Sequence, residues 1–204
     1  MSARIATARV RAFALAIAAA IACAPLAAQV PAARPVEATS WVAADGTRTL
    51  RHSAVVRGSP AAVWDAFTTT AGYVSWAAPV ARVEFRLGGA FETSYAKDGA
   101  IGAPGNIRNE IVAYVPHRMF ALRNRQAPPD VPFDVTAFQA LHTVVTFEDV
   151  GGGYTRVTIE MPGLKDDEAH AAIARFFDWG NAATLVALRD RFDKGPTDWK
   201  RAAR

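Results

Sequence analysis

The sequence predicts an α+β domain: a curved antiparallel sheet wrapped around one long C-terminal helix, with a short helix after the first main strand. Three observations predict it. The stretch from Asp166 to Lys194 has no proline and repeats Ala169, Ala172, Ile173, Phe176, Phe177, Leu185, Leu188 and Phe192 at three- and four-residue steps, which makes one broad apolar helix face. Several short segments before it alternate apolar and polar residues, the period of a half-buried strand. A lone amphipathic helix needs a surface to bury against, and only the sheet provides one.

The chain opens on a different pattern. MSARIATARVR is a charged start, AFALAIAAAIACAPLA an apolar run, and small residues close it before Gln29; together they form a secretory leader over residues 1–28. Two alternatives stay open. The run is an uncleaved anchor, although it is short and alanine-rich for ~30 Å of hydrocarbon, or Cys23 is the acylated start of a lipoprotein. Under the leader reading no stable membrane span remains after cleavage. Residues 29–40, QVPAARPVEATS, lack periodicity and read as a flexible linker. The domain then occupies residues 41–204.

Removing Arg4, Arg9 and Arg11 from the 23 basic residues leaves 20 against 19 acidic ones, a balance of +1. Such a domain has no electrostatic footprint for nucleic acid. With 204 residues, about half of them apolar, the chain has enough material for one sizeable core.

Each element follows from local signals. Asp45-Gly46 is a hairpin dipeptide between Trp41 and the first main strand, which runs to about Val56. Ser59 caps a helix whose first residue is Pro60, with Val63, Trp64 and Phe67 on one side and Gly72 at its end. Val83, Phe85 and Leu87 alternate with charged residues in a strand that turns at Gly88-Gly89 into Phe91–Tyr95. Ile107–Tyr114 and Met119–Asn124 make a pair, and 126–134 is a proline-rich loop. Thr143–Asp149 and Tyr154–Met161 make a second hairpin across three glycines. Asp166, Asp167 and Glu168 suit the positive end of the long helix, and Gly195-Pro196 stops it.

These pieces in this order resemble the SRPBCC superfamily, also called START-like or helix-grip. Val55-Val56-Arg57-Gly58-Ser59-Pro60 leads into Val63-Trp64-Asp65-Ala66-Phe67, and Trp76 follows. Val83–Phe91, Gly105-Asn106-Ile107, Glu110-Ile111-Val112, Val145–Glu148, Thr155–Ile159 and Trp179 ahead of Leu185 complete the match. Within the superfamily the sequence is most similar to the family named for the activator of the ninety-kilodalton heat-shock chaperone's ATPase, over about residues 49–193. The resemblance implies an apolar cavity between sheet and C-terminal helix. The same fold hosts carriers, cyclases, hydrolases and plain binding modules, so activity does not transfer with it. The leader also places this chain away from the chaperone that names the family.

The chemistry-bearing residues are sparse. His52, His117, His142 and His170 have no paired ligand spacing and the one cysteine lies in the leader, so neither metal nor other cofactor is expected. No GxSxG elbow occurs. Strand parity turns Phe85, Phe91, Tyr95, Ile107, Asn109, Val145 and Phe147 toward the helix, and these are the candidate ligand-binding residues. Asn109 and Tyr95 are the candidate orienting groups among them. Glu92, Glu110 and His142 fall on the opposite, solvated parity. Phe176 and Phe177 are expected to anchor the long helix, and Trp76 and Trp179 to brace it. The expected partner is a small apolar or amphipathic molecule. A cyclase- or aromatase-like enzyme and a protein-interaction module are the other two readings.

Overall fold

The computed structural model describes residues 35–201; the expected leader, Cys23 and half of the expected linker lie outside them. Two short strands, β1 (Glu37–Ala38) and β2 (Trp41–Val42), pair with the long β3 (Arg48–Arg57). The turn between β2 and β3 is closed by Asp45, whose carboxylate accepts from the Thr47 amide at 2.9 Å and its hydroxyl at 2.8 Å. Gly46 there has φ 82°, which favours glycine. The end of the expected linker is therefore sheet.

Helix α1 (Pro60–Thr68) starts at Ser59, whose hydroxyl accepts from the Ala62 amide, and α2 (Thr70–Val74) follows on Thr69 as its cap. The sheet resumes with β4 (Val80–Val83), β5 (Ala90–Ser94), β6 (Ile107–Val115) and β7 (Met119–Gln126). A short helix α3 (Val135–Gln139) precedes β8 (Thr143–Gly151) and β9 (Tyr154–Leu164), and α4 (Glu168–Lys194) closes the domain. Strand order is β1-β3-β9-β8-β7-β6-β5-β4, with β2 also on β3, and every pairing is antiparallel. Register shifts between Arg48 and Leu50, Arg108 and Asn109, Ile111 and Ala113, and Asp149 and Gly151 mark bulges, which bend the sheet. This is the expected α+β architecture.

Asp167 caps α4 by accepting from the His170 amide, and Gly195 ends it at φ 95°. At 27 residues the helix is ~40 Å long. It lies chiefly across β3 and β9. The segment after it docks on α2: the Trp199 indole donates to the Val74 carbonyl at 2.6 Å. No helix among the described residues is long and apolar enough to cross a membrane.

Three expectations need correction. The strand expected through Leu87 stops at Val83, and Leu87 is exposed. The chain turns early because the Glu84 amide bonds the Ala90 carbonyl, and Gly89 packs so closely that a Cβ would collide with the Glu84 carbonyl. Glu92, expected in solvent, is fully buried. Its parity is as expected, but residues 96–106 fold back over that outer face. The Gly102 amide and Asn106 Nδ2 donate to Glu92 Oε1, and Arg82 and Arg108 lie 3.7 Å from Oε2. Phe176 is not on the buried stripe of α4, which is His170, Ile173, Ala174, Asn181, Leu185 and Leu188.

Candidate functional site

The face of the sheet beneath the helices carries two separate apolar clusters. The larger joins Ala54, Val56, Trp64, Phe67, Trp76, Phe120, Val145, Phe147, Leu185 and Leu188. The smaller joins Leu50, Leu141, Met161, Leu164, Ile173 and Ala174, with Phe133, Phe138 and Phe177 against it. The seven residues expected around one cavity divide between distinct settings.

Phe85, Val145 and Phe147 belong to the larger cluster. Ring centroids there are 5.1 Å apart for Trp64 and Phe85, 5.5 Å for Trp64 and Phe147, and 5.5 Å for Phe67 and Phe147. Edge-to-face packing at these distances fills space. Trp64 and Phe67, both from α1, occupy the volume above those strands.

Phe91, Asn109 and Asn124 form one cross-strand row over β5, β6 and β7. Phe91 is buried against Tyr73, 4.7 Å between centroids. Burial pushes the Tyr73 phenol far above its usual range, the neighbouring Tyr95 adds to this, and a hydrogen bond with Thr93 opposes it. Asn124 donates through Nδ2 to the Gln126 carbonyl at 2.9 Å and to Asn109 Oδ1 at 3.2 Å. Its own Oδ1 is buried with no protein partner, an arrangement that native interiors rarely tolerate. Ile107 is half-buried and pairs with Thr93. Tyr95 is 64% exposed, because β5 ends at Ser94 and the chain leaves the sheet there.

Two functional candidates are new. His52 lies on the buried face of β3 and is 2% exposed; its Nε2 is 3.1 Å from Asp178 Oδ1 on α4. Asn181, one turn further along α4, is also buried. Both carry a buried nitrogen without a protein partner, His52 Nδ1 and Asn181 Nδ2. Parity with Leu50 and Ala54 points His52 inward, and spacing with Ala174, Leu185 and Leu188 points Asn181 inward. That signal was in the chain.

The second is an open cleft of about 600 Å³ where α3, the end of β9 and the start of α4 meet. Ala137, Leu141, Pro162 and Gly163 form its apolar lining, and His142, Lys165 and His170 are the basic groups around it. Asp134 and Thr136 add polar atoms from the α3 side. His170 Nδ1 lies 2.7 Å from Asp167 Oδ1. The His170 amide first, and its ring second, hold the Asp167 carboxyl below its usual range. Burial, then Arg123 and Arg125, lowers the His142 imidazole and favours its neutral form. His142, expected at the surface, is thus half-buried at the cleft. No group of three or more His, Cys, Asp or Glu among the described residues could hold a metal ion.

A family model described as "Activator of Hsp90 ATPase homolog 1-like protein" matches residues 57–191. No curated protein matches the chain. Among solved structures, the Aha1 dimer from Colwellia psychrerythraea is similar at TM-score 0.56 and 14% identity, over 72% of this chain and 97% of that one. CalU16 from Micromonospora echinospora is similar at 0.55 and 15%, over 82% and 89%. Protein Ms6760 from Mycobacterium smegmatis is similar at 0.55 and 19%, over 80% and 98%. At these identities the likeness concerns the fold.

Proposed function

The chain belongs to the Activator of Hsp90 ATPase homolog 1-like family, and from that premise we propose that it is an exported binding protein for a small apolar or amphipathic molecule. One observation carries this reading: the cleft of about 600 Å³ between α3, β9 and α4, whose lining mixes apolar residues with Asp134, His142, Lys165 and His170. Its size and its mixture of apolar wall with a few polar groups suit a small organic ligand. Leu141 belongs to both the cleft and the smaller apolar cluster, so a ligand's apolar end has a surface to cover. His142, Lys165 and His170 then meet its polar end. Helix α3 also packs on β7, the strand that carries Asn124. Phe85, Phe91, Tyr95, Ile107, Asn109, Val145 and Phe147 are not among the residues that line this cleft.

Export rests on the leader over residues 1–28. Native mass spectrometry of the protein recovered from its own exported fraction tests both parts. The expected result is a chain starting near Gln29 with a small organic molecule retained. A chain that keeps Met1 in the membrane fraction overturns export as a released protein. A protein with no adduct, and no thermal shift with long-chain acids or alcohols, overturns the binding reading.

A second reading has its own observation. Trp179 on α4 is 74% exposed, and Phe176 one turn before it is 37% exposed with its ring edge-on to Phe133, an apolar surface that suits a protein partner.

A further inference from the structure

We propose that His52 and Asn181 receive the hydroxyl group of an apolar alcohol, held at the seam between the two apolar clusters. The inference rests on the reading that the domain binds a small apolar or amphipathic molecule, and it places a hydroxyl site at the seam, whose two residues do not line the α3 cleft.

The position comes first. Along β3, Leu50 belongs to the smaller cluster and Ala54 and Val56 to the larger, with His52 between them. Along α4, Ile173 and Ala174 belong to the smaller cluster and Leu185 and Leu188 to the larger, with Asn181 between them. Strand and helix each place one polar residue at the same boundary. His52 is 2% exposed and Asn181 6%. A water-filled surface does not explain them.

The hydrogen-bond inventory then selects the partner. The neutral imidazole donates one N–H and keeps one lone pair. Nε2 faces the Asp178 carboxylate at 3.1 Å, so the proton belongs on Nε2 and Nδ1 is left as an acceptor. Asn181 offers the reverse, a buried N–H donor at Nδ2 without a protein partner. Residues three apart on a helix are neighbours, which holds Asn181 beside the Asp178 that His52 contacts. One group that both donates and accepts satisfies the pair, and an O–H is the simplest. A carboxylate has nothing to donate to Nδ1, and an ammonium has nothing to accept from Nδ2. An ether or ketone satisfies Asn181 alone. The Asp178 side chain is 64% exposed, so the seam lies one side chain from solvent.

An ordered water offers the same O–H, and the test separates the two sources. The exported protein, labelled with ¹⁵N, is titrated with 1-octanol and with its isomer 1-methoxyheptane while the His52 ring nitrogens are followed. The expected result is at least about tenfold tighter binding of the alcohol, with a shift at His52 Nδ1 that the ether does not produce. His52→Leu should remove the preference, because both isomers accept from Asn181 Nδ2 and only the alcohol donates to His52 Nδ1. If that variant fails to fold, the comparison of the two isomers on the unaltered protein still decides. Equal affinities, or a Nδ1 signal insensitive to the alcohol, overturn the proposal and leave water as the source. If a natural ligand co-purifies but lacks a hydroxyl, the proposal fails while the binding reading stands. If the alcohol is preferred but nothing co-purifies, the hydroxyl site stands and ligand retention in the cell fails.

Discussion

The two ends of one sheet face are covered in different ways. Under α1, Trp64 and Phe67 reach down between Phe85, Phe120 and Phe147 and the space is closed with rings in contact. Under α3, a five-residue helix does the covering. Phe133 and Phe138 pack on Phe177 and on the smaller apolar cluster, and the cleft stays open beside them. The difference follows from the residues that the covering helix supplies. A nine-residue helix with two large aromatics aimed inward fills a concavity. A short one with Thr136, Ala137 and Ala140 at the cleft cannot. The same sheet face thus has a closed end and an open end.

The sharpest way to break this contrast is to empty the closed end. Trp64→Ala removes a buried ring that touches Phe85, Phe120 and Phe147. It should destabilise the domain by about 3–5 kcal/mol, read from the denaturant midpoint at unchanged slope. A loss below ~1 kcal/mol would mean that the closed end is not tightly packed. Phe177→Ala at the open end should cost less, roughly 2 kcal/mol, since the ring is only partly buried and its neighbours can close over it. Phe176, 37% exposed, should cost less again. A larger cost for Phe176 than for Phe177 would invert the assignment of the buried side of α4.

Glu92 offers a third contrast, between the outer face near β5 and the rest of that face. Burial raises its carboxyl, but Asn106, the Gly102 amide, Arg108 and Arg82 together outweigh it, and the group is held below its usual range. A depressed folded-state value means stability that is full above the unfolded value near 4.5 and lost as pH falls through the folded one. Glu92→Gln should therefore cost about 1–2 kcal/mol at neutral pH and remove part of the acid sensitivity below pH ~4.5. The protection of the Gly102 amide relative to its intrinsic exchange rate at the same pH should fall in both the variant and the acidified wild type. Protection there that is the same in both and at neutral pH would show that the segment over Glu92 is held by something else.

How much of this could be read from the chain depends on the range of the interaction. Ser59, Pro60, Asp167 and Gly195 act within one turn, so both principal helices were legible, as was the parity of β6 and β8. Glu92 was misplaced because alternation assigns a face and not its exposure; what covers that face is the loop that returns over it, bonding from Gly102 and Asn106. Leu87 failed for a related reason, since a glycine pair announces a turn without saying where the ladder before it stops. Helix α3, directly after the proline-rich loop 126–134, was not read, although Asp134 caps it by accepting from the Ala137 amide at 2.8 Å. For the site, the inward direction of Asn109 was legible but Asn124, its partner across the ladder, was not. The filling of the space near Phe85 and Phe147 depended on Trp64 and Phe67 arriving from α1, a tertiary event with no local signal.

The smallest effect expected is also the one that separates the two functional readings. Trp179 is the most exposed large apolar residue among those described, at 74%, and it lies on α4 away from the buried stripe. Exposed positions of this kind change stability by about 0.5 kcal/mol or less when substituted, so Trp179→Ser should leave the denaturant midpoint unchanged. If the cleft holds the ligand, the variant should also retain the same co-purified molecule in the same proportion, because Leu141, His142 and His170 are untouched. If the outer side of α4 is instead the working surface, the variant should fold normally yet lose association, visible as a fall in mass by light scattering of the exported fraction. An altered ligand load with unchanged mass would place binding near Asp178 and Trp179 and move the site away from the α3 end, along the helix toward the His52 seam.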